Sequence, residues 1–205
     1  MKSGAEYLHS KQKRAVDITL GSLLSPLDLG ASVVAELSFA EPGKLYFHQE
    51  RTGKNAETFT MKKIRTLDDN GIILGGLAQW FRDKGIDELS QLAAIRNGQM
   101  SFFGSRPLIP EEYEDLRTQA SKTLEGRNLL AQHDDIVMPA KRGLFSRYGL
   151  LCHTGGYGNP VEQRLSMDIE DHVNASLSYD VQTLYLGIKM AVNNELLRRG
   201  SSPTS

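Results

Sequence analysis

The chain has 205 residues, 24% of them charged, and its 24 basic and 25 acidic side chains give a formal net charge of −1 at pH 7. One domain with a sizeable core is expected at this length, and the balanced charge gives no indication of nucleic acid as a partner. The single cysteine, Cys152, excludes a disulfide within the chain and fits a reducing compartment. Because neighbours in a strand point to opposite faces, Cys152 beside His153 is expected to be an inert thiol rather than a nucleophile.

The N-terminal region is expected to be helical. A helix is predicted from Lys11 to Leu24, ending before Pro26, because proline lacks an amide hydrogen and disfavours helical geometry in the residue before it. A second, shorter helix is predicted from Leu27 to Leu37. In the first helix Asp17 is expected to pair with Arg14 at most, an interaction worth only ~0.2–0.5 kcal/mol.

Residues 11–40 form the most apolar part of the chain. They contain no run near the ~18 uncharged apolar residues that a spanning helix needs, because Asp28 and Glu36 interrupt the apolar pattern. Each charge at a helix centre costs ~2.5–3.5 kcal/mol on translocon scales. Asp17 also breaks the apolar region that a cleaved signal peptide would require. Two alternatives to membrane insertion stay open: an amphipathic helix on the membrane surface, and a soluble form.

The next region is expected to supply a small sheet. Two strands are predicted, Leu45 to Glu50 and Thr58 to Arg65, around a hairpin-like connection at 52–55. A turn is predicted at 68–71, followed by a helix from about Leu77 to Arg82. Helices flanking a small sheet or hairpin give an α/β fold class.

The acidic pair Asp87-Glu88 opens a segment of apolar periodicity. Leu89, Leu92 and Ile95 recur at three-residue steps, which predicts a helix with Asp87 at or near its N-cap. A helix N-terminus lowers the pKa of a carboxylate and attracts phosphate. An ionised carboxylate there can act as a nucleophile or hold Mg²⁺, whereas the plain alternative is a capping residue with a charge that suits the helix dipole.

The C-terminal half is expected to be mainly helical. One charged helix is predicted from Glu111 to Leu130, with its start limited by the preceding prolines. Apolar residues at four- and three-residue steps between Leu177 and Val192 predict an amphipathic C-terminal helix. The polar tail at 201–205 is expected to be disordered.

Several blocks in order along the chain resemble the bacterial sugar transferases, the monotopic polyprenyl-phosphate phosphoglycosyl transferases. The acidic centre and the following loop resemble the family pattern S-L-D-E-L-P-Q-L followed by G-D-M-S-L-V-G-P-R-P. The other blocks resemble K-R-x-x-D, Q-E-R-V-G-K-N, K-F-R-S-M and L-D-x-x-Y-V-x-N…D, and they lie at 13–17, 49–55, 63–67 and 165–188. The likeness covers most of the chain, and it implies a single domain, 1–205, with a re-entrant or surface helical hairpin at 11–40 and a catalytic globule at 41–200.

The resemblance implies that Asp87 attacks the β-phosphate of a UDP-sugar and releases UMP, with Glu88 assisting as a metal-shell or proton-handling group. It further implies Mg²⁺ held by Asp87 and Glu88, a polyprenyl phosphate acceptor, and the cytoplasmic face of a bacterial inner membrane. This would be the first membrane step of glycan assembly. Phosphate binding is expected from basic residues and one glycine: Arg51, Lys63, Arg65, Gly104, Arg106, Lys141 and Arg142.

Two of these expectations also rest on the residues themselves. Lys63 and Arg65 lie one strand step apart on the same face, so both could face a diphosphate. Arg106 suits a bidentate bond to phosphate, and Gly104 allows a close backbone approach. The plain alternatives are a solvated strand face and a surface ion pair.

The chain departs from the family pattern at three places. Residues 141–147 keep a basic residue and Gly143 but lack the family's P-G-I-T-G-W-A-Q, and Ser105 stands where the family has proline. Arg82 matches a basic residue upstream of the acidic pair, but its neighbours Gln79, Trp80 and Asp83 do not match the family's R-F-L-R-K. Two further hypotheses therefore stay open, a non-catalytic nucleotide-sugar-binding or partner-binding relative and a soluble enzyme with a non-lipid acceptor. The oligomeric state is also open, with a homodimer as one alternative.

Overall fold

A computed structural model describes residues 4–150 and 160–200, with side chains up to residue 189. The predictions for Cys152 and for the tail at 201–205 lie outside the described residues. The helices are α1 (Gly4–Leu8), α2 (Lys11–Leu23), α3 (Ser25–Ser38), α4 (Gly76–Asp83), α5 (Leu92–Asn97), α6 (Pro110–Ala120), α7 (Leu124–Ile136), α8 (Val161–Val173) and α9 (Leu177–Gly200). The strands are β1 (Tyr46–Thr52), β2 (Thr58–Ile64), β3 (Ser101–Phe103) and β4 (Gly143–Phe145), and short 3₁₀ helices span Lys54–Ala56 and Ile86–Gln91.

The strands form two small sheets among these helices, so the predicted mixed α/β fold is confirmed. Strands β1 and β2 are antiparallel, with Tyr46 opposite Ile64 and Thr52 opposite Thr58. Strands β3 and β4 pair in parallel although about forty residues separate them, with Ser101 opposite Gly143. The turn predicted at 68–71 is also confirmed, since Asp68 accepts hydrogen bonds from the amides of residues 70 and 72.

In the part of the chain that the structure describes, the hydrophobic core has three clusters that join these elements. The first lies beneath β2, α5 and β3 and includes Met61, Leu92 and Phe102. The second joins α3 and α4 to the end of β2, and the third joins α6, α7 and α8. The segment that carries the acidic pair therefore packs between the first two clusters.

The two predicted N-terminal helices are confirmed, with a break at Leu24. Ser10 caps α2 by accepting a hydrogen bond from the Lys13 amide, and Pro26 occupies the first turn of α3, where a missing amide hydrogen costs least. The stretch Lys11–Ser38 is long and apolar enough to cross a membrane by length and composition alone. The kinked apolar helix expected from the sequence is therefore present.

Helix α3 is amphipathic in an unusual sense, because small residues face the protein and large apolar ones face outward. Ala31, Ser32 and Ala35 are buried, whereas Leu29 and Leu37 are 68% and 81% exposed. The outer face also exposes Leu23 at the end of α2, together with Leu27, Val33 and Val34. An exposed apolar face on this scale is typical of a helix that contacts a membrane or a partner.

The single helix predicted at 111–130 is wrong, because the chain breaks between α6 and α7. Thr123 caps α7 by accepting a hydrogen bond from the Gly126 amide at 2.9 Å. Gly126 lies so close to the end of α6 that a Cβ there would stand 2.2 Å from the Ala120 carbonyl oxygen. A threonine cap and a tight helix contact therefore override the continuous helical pattern.

The predicted C-terminal helix is confirmed as α9. Of the apolar residues in its predicted pattern, Leu184 packs against the first core cluster, whereas the others with described side chains face outward. Leu177, Val181 and Ile188 are between 41% and 58% exposed, whereas Asp180 and Thr183 are buried. Asp180 faces the protein because it accepts hydrogen bonds from the Tyr7 hydroxyl at 2.7 Å and from Lys13 Nζ at 2.8 Å.

Asp17 is a buried carboxylate that joins α2 to β3, so the expected pairing with Arg14 is wrong. Asp17 Oδ1 accepts hydrogen bonds from the Ser101 hydroxyl at 3.0 Å and the Phe102 amide at 2.8 Å, and it lies 3.6 Å from Lys13 Nζ. Arg14 instead donates to the carbonyls of residues 95 and 96 at the end of α5. Arg14 and Asp17 therefore bind partners in other elements rather than each other.

We expect replacement of Asp17 by alanine to lower the free energy of unfolding by about 3–5 kcal/mol, the cost of breaking a buried ion pair. The variant leaves the Phe102 amide without its acceptor and Lys13 with one carboxylate fewer. Chemical denaturation of the full chain measures the change. Glu114→Ala, an exposed acid on α6, is the matched control and should change stability by less than about 0.5 kcal/mol. Equal stabilities for the two variants would contradict this role of Asp17.

Candidate active site

The acidic pair lies in the first turn of the 3₁₀ helix Ile86–Gln91, so Asp87 is near a helix N-terminus as predicted, although Gly85 rather than Asp87 occupies the cap position. Gly85 has the left-handed conformation, with φ of 66°. The α-helix begins only at Leu92. Ser90 donates a hydrogen bond to the Lys62 carbonyl at 2.8 Å, which ties this segment to the neighbouring strand β2. Contact with β2, rather than a helix terminus, positions the pair.

Glu88 is the centre of an ionic cluster. Its Oε1 atom accepts from Lys63 Nζ at 2.7 Å and from Arg106 at 2.9 Å. Burial opposes ionisation, but the charges of Arg106 and Lys63 outweigh it and hold the pKa of Glu88 at about 2. Because this pKa lies below the ordinary value of 4.5, the pairs stabilise the fold fully above that pH, and the contribution is lost as pH falls toward 2.

Asp87 has the opposite shift, so the prediction of a lowered pKa is wrong. Burial raises the pKa of Asp87, and the negative charge of Glu88 raises it further. Lys63 and Arg82 act against this rise without cancelling it. Asp87 is 7% exposed, and desolvation therefore dominates any effect of the short helix.

Arg82 is a member of the site to which the sequence alone assigned no role. It lies in the last turn of α4, donates to the Thr66 hydroxyl at 3.3 Å, and is one of the two cations that favour ionised Asp87. In the sequence, the match of Arg82 to a basic residue upstream of the acidic pair was the feature that could have identified it as a site residue. Its place beside Asp87 depends on how α4 packs against the 3₁₀ helix.

Of the predicted strand cations, Lys63 joins the cluster and Arg65 does not. Strand β2 ends at Ile64, so the alternation that would place both side chains on one face stops before Arg65. Arg65 donates to the Leu67 carbonyl and pairs with Asp69 on the surface. The expectation that both cations face one diphosphate is therefore not supported by their positions.

Arg51 lies at the edge of the ionic cluster. It donates to Gln49 Oε1 at 2.5 Å and to the Pro107 carbonyl at 3.3 Å, so it contacts the loop that carries Arg106. Burial lowers the pKa of Arg51, and the nearby charge of Arg106 lowers it further, whereas Glu112 and Glu88 raise it. Arg51 thus adds positive charge beside Glu88 without an ion pair to it.

The loop after β3 is held against β4 by two glycines. Gly104 has φ of 152°, and a Cβ there would stand 3.2 Å from the Lys141 carbonyl oxygen. A Cβ on Gly143 would stand 2.2 Å from the Gly104 nitrogen, so any side chain at Gly143 would push the strands apart. The close approach expected of Gly104 is thus made to the protein's own backbone.

Arg142 and Lys141 lie away from the acidic pair. Arg142 is buried and donates to the Ser105 hydroxyl at 2.8 Å, so it supports the Arg106 loop from within. Ser105, which replaces the family's proline, supplies that acceptor. Lys141 lines a separate cavity beside α2. Of the predicted phosphate-binding cations, the structure therefore groups three, Lys63, Arg106 and Arg51, around Glu88.

A second polar cluster, which sequence reasoning missed, is buried behind this loop. His133 Nε2 lies 3.9 Å from Asp168 Oδ2, and both line a small cavity with Arg106 and Arg142. Burial raises the pKa of Asp168 to about 6 and lowers the pKa of His133 to about 3, so His133 is uncharged at neutral pH. His133 and Asp168 are far apart in the chain and share no sequence motif, so the sequence did not indicate that they lie together.

Comparison with known families agrees with this arrangement. A family described as "Bacterial sugar transferase" matches residues 8–194. The chain belongs to this family. The match includes the hairpin helices, the acidic pair, the Arg106 loop and helix α8, so the resemblance seen in the sequence blocks is confirmed.

Individual relatives share 26% to 30% sequence identity with this chain over the parts that align. The bacterial sugar transferase is 28% identical over 56% of its length to Exopolysaccharide production protein ExoY of Sinorhizobium fredii (strain NBRC 101917 / NGR234). It is 26% identical over 88% of its length to Undecaprenyl-phosphate glucose phosphotransferase of Komagataeibacter xylinus. It is 30% identical over 47% of its length to UDP-glucose:undecaprenyl-phosphate glucose-1-phosphate transferase of Caulobacter vibrioides (strain ATCC 19089 / CIP 103742 / CB 15). These alignments span 64%, 36% and 41% of the relatives, less than two thirds of each.

Replacing Lys63 by methionine should raise the pKa of both carboxyl groups of the acidic pair, because it removes a cation that favours each ionised form. Carboxyl ¹³C chemical shifts followed across a pH titration measure both values. Lys122→Met, which removes an exposed lysine between α6 and α7, is the matched control and should leave them unchanged. An unchanged or lowered pKa of Asp87 in the Lys63 variant would contradict the electrostatic description.

Proposed function

We propose that this bacterial sugar transferase is a phosphoglycosyl transferase that moves a phosphosugar from a UDP-sugar onto a polyprenyl phosphate such as undecaprenyl phosphate. The observation that carries the proposal is the acidic pair itself. Asp87 lies buried beside an ionised Glu88, and Lys63, Arg82 and Arg106 surround the two carboxylates. The names of the relatives, which specify undecaprenyl-phosphate sugar phosphotransferases, support the same reaction class.

In the first step an Asp87 carboxylate oxygen attacks the β-phosphorus of the UDP-sugar. The new bond joins this oxygen to phosphorus, the bond between the β-phosphorus and the oxygen bridging to the α-phosphate breaks, and UMP leaves with that oxygen. The product is an acyl phosphate that carries the sugar. The raised pKa of Asp87 favours this role, because a partly desolvated carboxylate is a stronger nucleophile than a fully hydrated one.

In the second step an oxygen of the polyprenyl phosphate attacks the same phosphorus and releases Asp87 as a carboxylate. The product is a polyprenyl diphosphate that carries the sugar. Arg106 and Lys63 stabilise the charge that develops on the transferring phosphoryl group in both steps. Glu88 holds these two cations in place through its Oε1 atom.

The donor atoms of the acidic pair suit Mg²⁺. Mg²⁺ prefers oxygen ligands and is commonly held by one or two protein carboxylates together with substrate phosphates. Within the described parts of the chain no group of three or more potential metal-ligating side chains occurs, which argues for a cation shared with the diphosphate rather than caged by protein. Asp87 and Glu88 would hold the ion, which when bound neutralises diphosphate charge.

The outer face of helices α2 and α3 is suited to contact with a membrane surface. Its exposed leucines and valines can enter the interfacial layer, while Asp28 turns toward the protein, where Lys62 and Arg96 lie nearby. One of the two charges that opposed insertion in the sequence is thus directed away from lipid, whereas Glu36 is exposed. We place the enzyme at the cytoplasmic face of the bacterial inner membrane, where a UDP-sugar and a lipid phosphate meet.

We expect Asp87→Asn to reduce UMP release from UDP-sugars by at least about 1000-fold, as loss of a covalent nucleophile does in other enzymes. The assay contains Mg²⁺ and undecaprenyl phosphate, and intact-protein mass spectrometry tests for a phosphosugar adduct on the wild type. Asp135→Asn, a matched change at an exposed acid on α7, should retain activity.

Retained release in the Asp87 variant would contradict the nucleophile assignment. Binding of UDP-sugar by the wild type without UMP release would instead favour the non-catalytic relative. Turnover with a water-soluble acceptor but not with polyprenyl phosphate would favour the soluble enzyme.

A further inference from the structure

A second basic site lies apart from the acidic pair. A cavity of about 350 Å³ opens between the start of α2, the turn after β1, and the segment that precedes β4. It contains no residue of the ionic cluster around Glu88. The cavity is lined by Leu8, His9, Ser10, Lys11, Lys13, Arg14, Asp17, Lys54, Ser101, Pro139 and Lys141.

Part of this positive charge is already neutralised by the protein. Lys13 pairs with Asp180 at 2.8 Å, and Arg14 donates to the carbonyls that end α5. Asp17, the one carboxylate in the lining, accepts hydrogen bonds from β3 and lies beside Lys13. The acidic and carbonyl groups near the cavity are therefore already bound to side chains of α2 or to groups of β3.

The remaining lysines have no such partner. Among the described residues, no carboxylate lies within ion-pair distance of Lys11, Lys54 or Lys141. Lys141 is half-buried. Burial lowers the pKa of its ammonium group, and the charges of Arg14 and Lys54 lower it further, whereas the charge of Asp17 acts in the opposite direction without cancelling them. Placing like charges around one partly desolvated cavity is unfavourable unless an anion occupies it.

The size and lining of the cavity indicate which anion fits. A volume of this order lies within the ~300–1,000 Å³ typical of small-molecule sites. Its lining residues are mostly charged or polar types, with Leu8 and Pro139 as the apolar ones, which suits a compact, strongly charged group. Lysine ammonium groups bind phosphate as point charges that can converge on it from several directions.

We propose that this cavity binds the phosphate group of an anionic ligand, held by Lys54 and Lys141 with Lys11 at its rim. The site is separate from Asp87 and Glu88 and does not depend on the reaction proposed for them. Two sources share the required chemistry, the headgroup of an anionic lipid and a soluble phosphate compound. The exposed apolar face of α3 is the reason to test a lipid headgroup, because a membrane-bound state would supply one.

The test is site-resolved labelling of lysines in the full chain with an amine-reactive acetylating reagent, read by mass spectrometry. We expect inorganic phosphate, or vesicles that contain phosphatidic acid, to slow acetylation of Lys54 and Lys141 by at least about threefold relative to Lys122. Protection by phosphate alone identifies a soluble source. Protection only by phosphatidic acid vesicles, and not by phosphatidylcholine vesicles, identifies a lipid headgroup.

A matched variant comparison completes the experiment. The double variant K54M/K141M should lower the affinity for the protecting anion by about tenfold or more, the loss expected for a charged hydrogen bond. K122M and D87N should bind it as the wild type does. Equal labelling of Lys54, Lys141 and Lys122 with and without both anions would overturn the proposal, and so would unchanged affinity in the double variant.

Discussion

Two side chains on one turn of α2 hold both flanks of the active site. Arg14 binds the carbonyls at the end of α5, the helix that follows the acidic pair, and Asp17 binds the Phe102 amide in β3. Strand β3 leads directly into the loop that carries Arg106. The distance between the carboxylates and this arginine thus depends on buried polar contacts with an N-terminal helix. Such contacts are directional, so they fix position more tightly than apolar packing alone.

Adjacent carboxylates in the same short helix are forced into different electrostatic states. Glu88 reaches two cations and stays ionised, whereas Asp87 is desolvated and feels the charge of its neighbour. Glu88 therefore organises Lys63 and Arg106, whereas Asp87 is the carboxylate for which we propose contact with the substrate. Pairs of titratable groups whose environments separate their pKa values are a common feature of catalytic sites.

The net charge of −1 is the sum of basic and acidic side chains that are unevenly distributed over the protein. Cations gather around Glu88 and again around the cavity beside α2, while acids such as Glu111 and Glu114 are exposed on α6. Both basic centres lie in the part of the protein that contacts the N-terminal hairpin. The net charge of the chain gives no sign of these two basic centres.

Local chemistry along the chain was sufficient to predict the two N-terminal helices, the β1–β2 hairpin, the α/β class and the acidic pair. Proline, turn residues and short-range periodicity act within a few residues, and the ordered motif blocks carry the family. The partners of the charged side chains depended instead on contacts between distant segments. Glu88 meets Lys63 and Arg106 across 25 and 18 residues, and Lys13 meets Asp180 across 167. Burial and ion pairing are set by such contacts, which explains why the pKa of Asp87, the exclusion of Arg65 and the separate place of Lys141 were decided only by the folded protein.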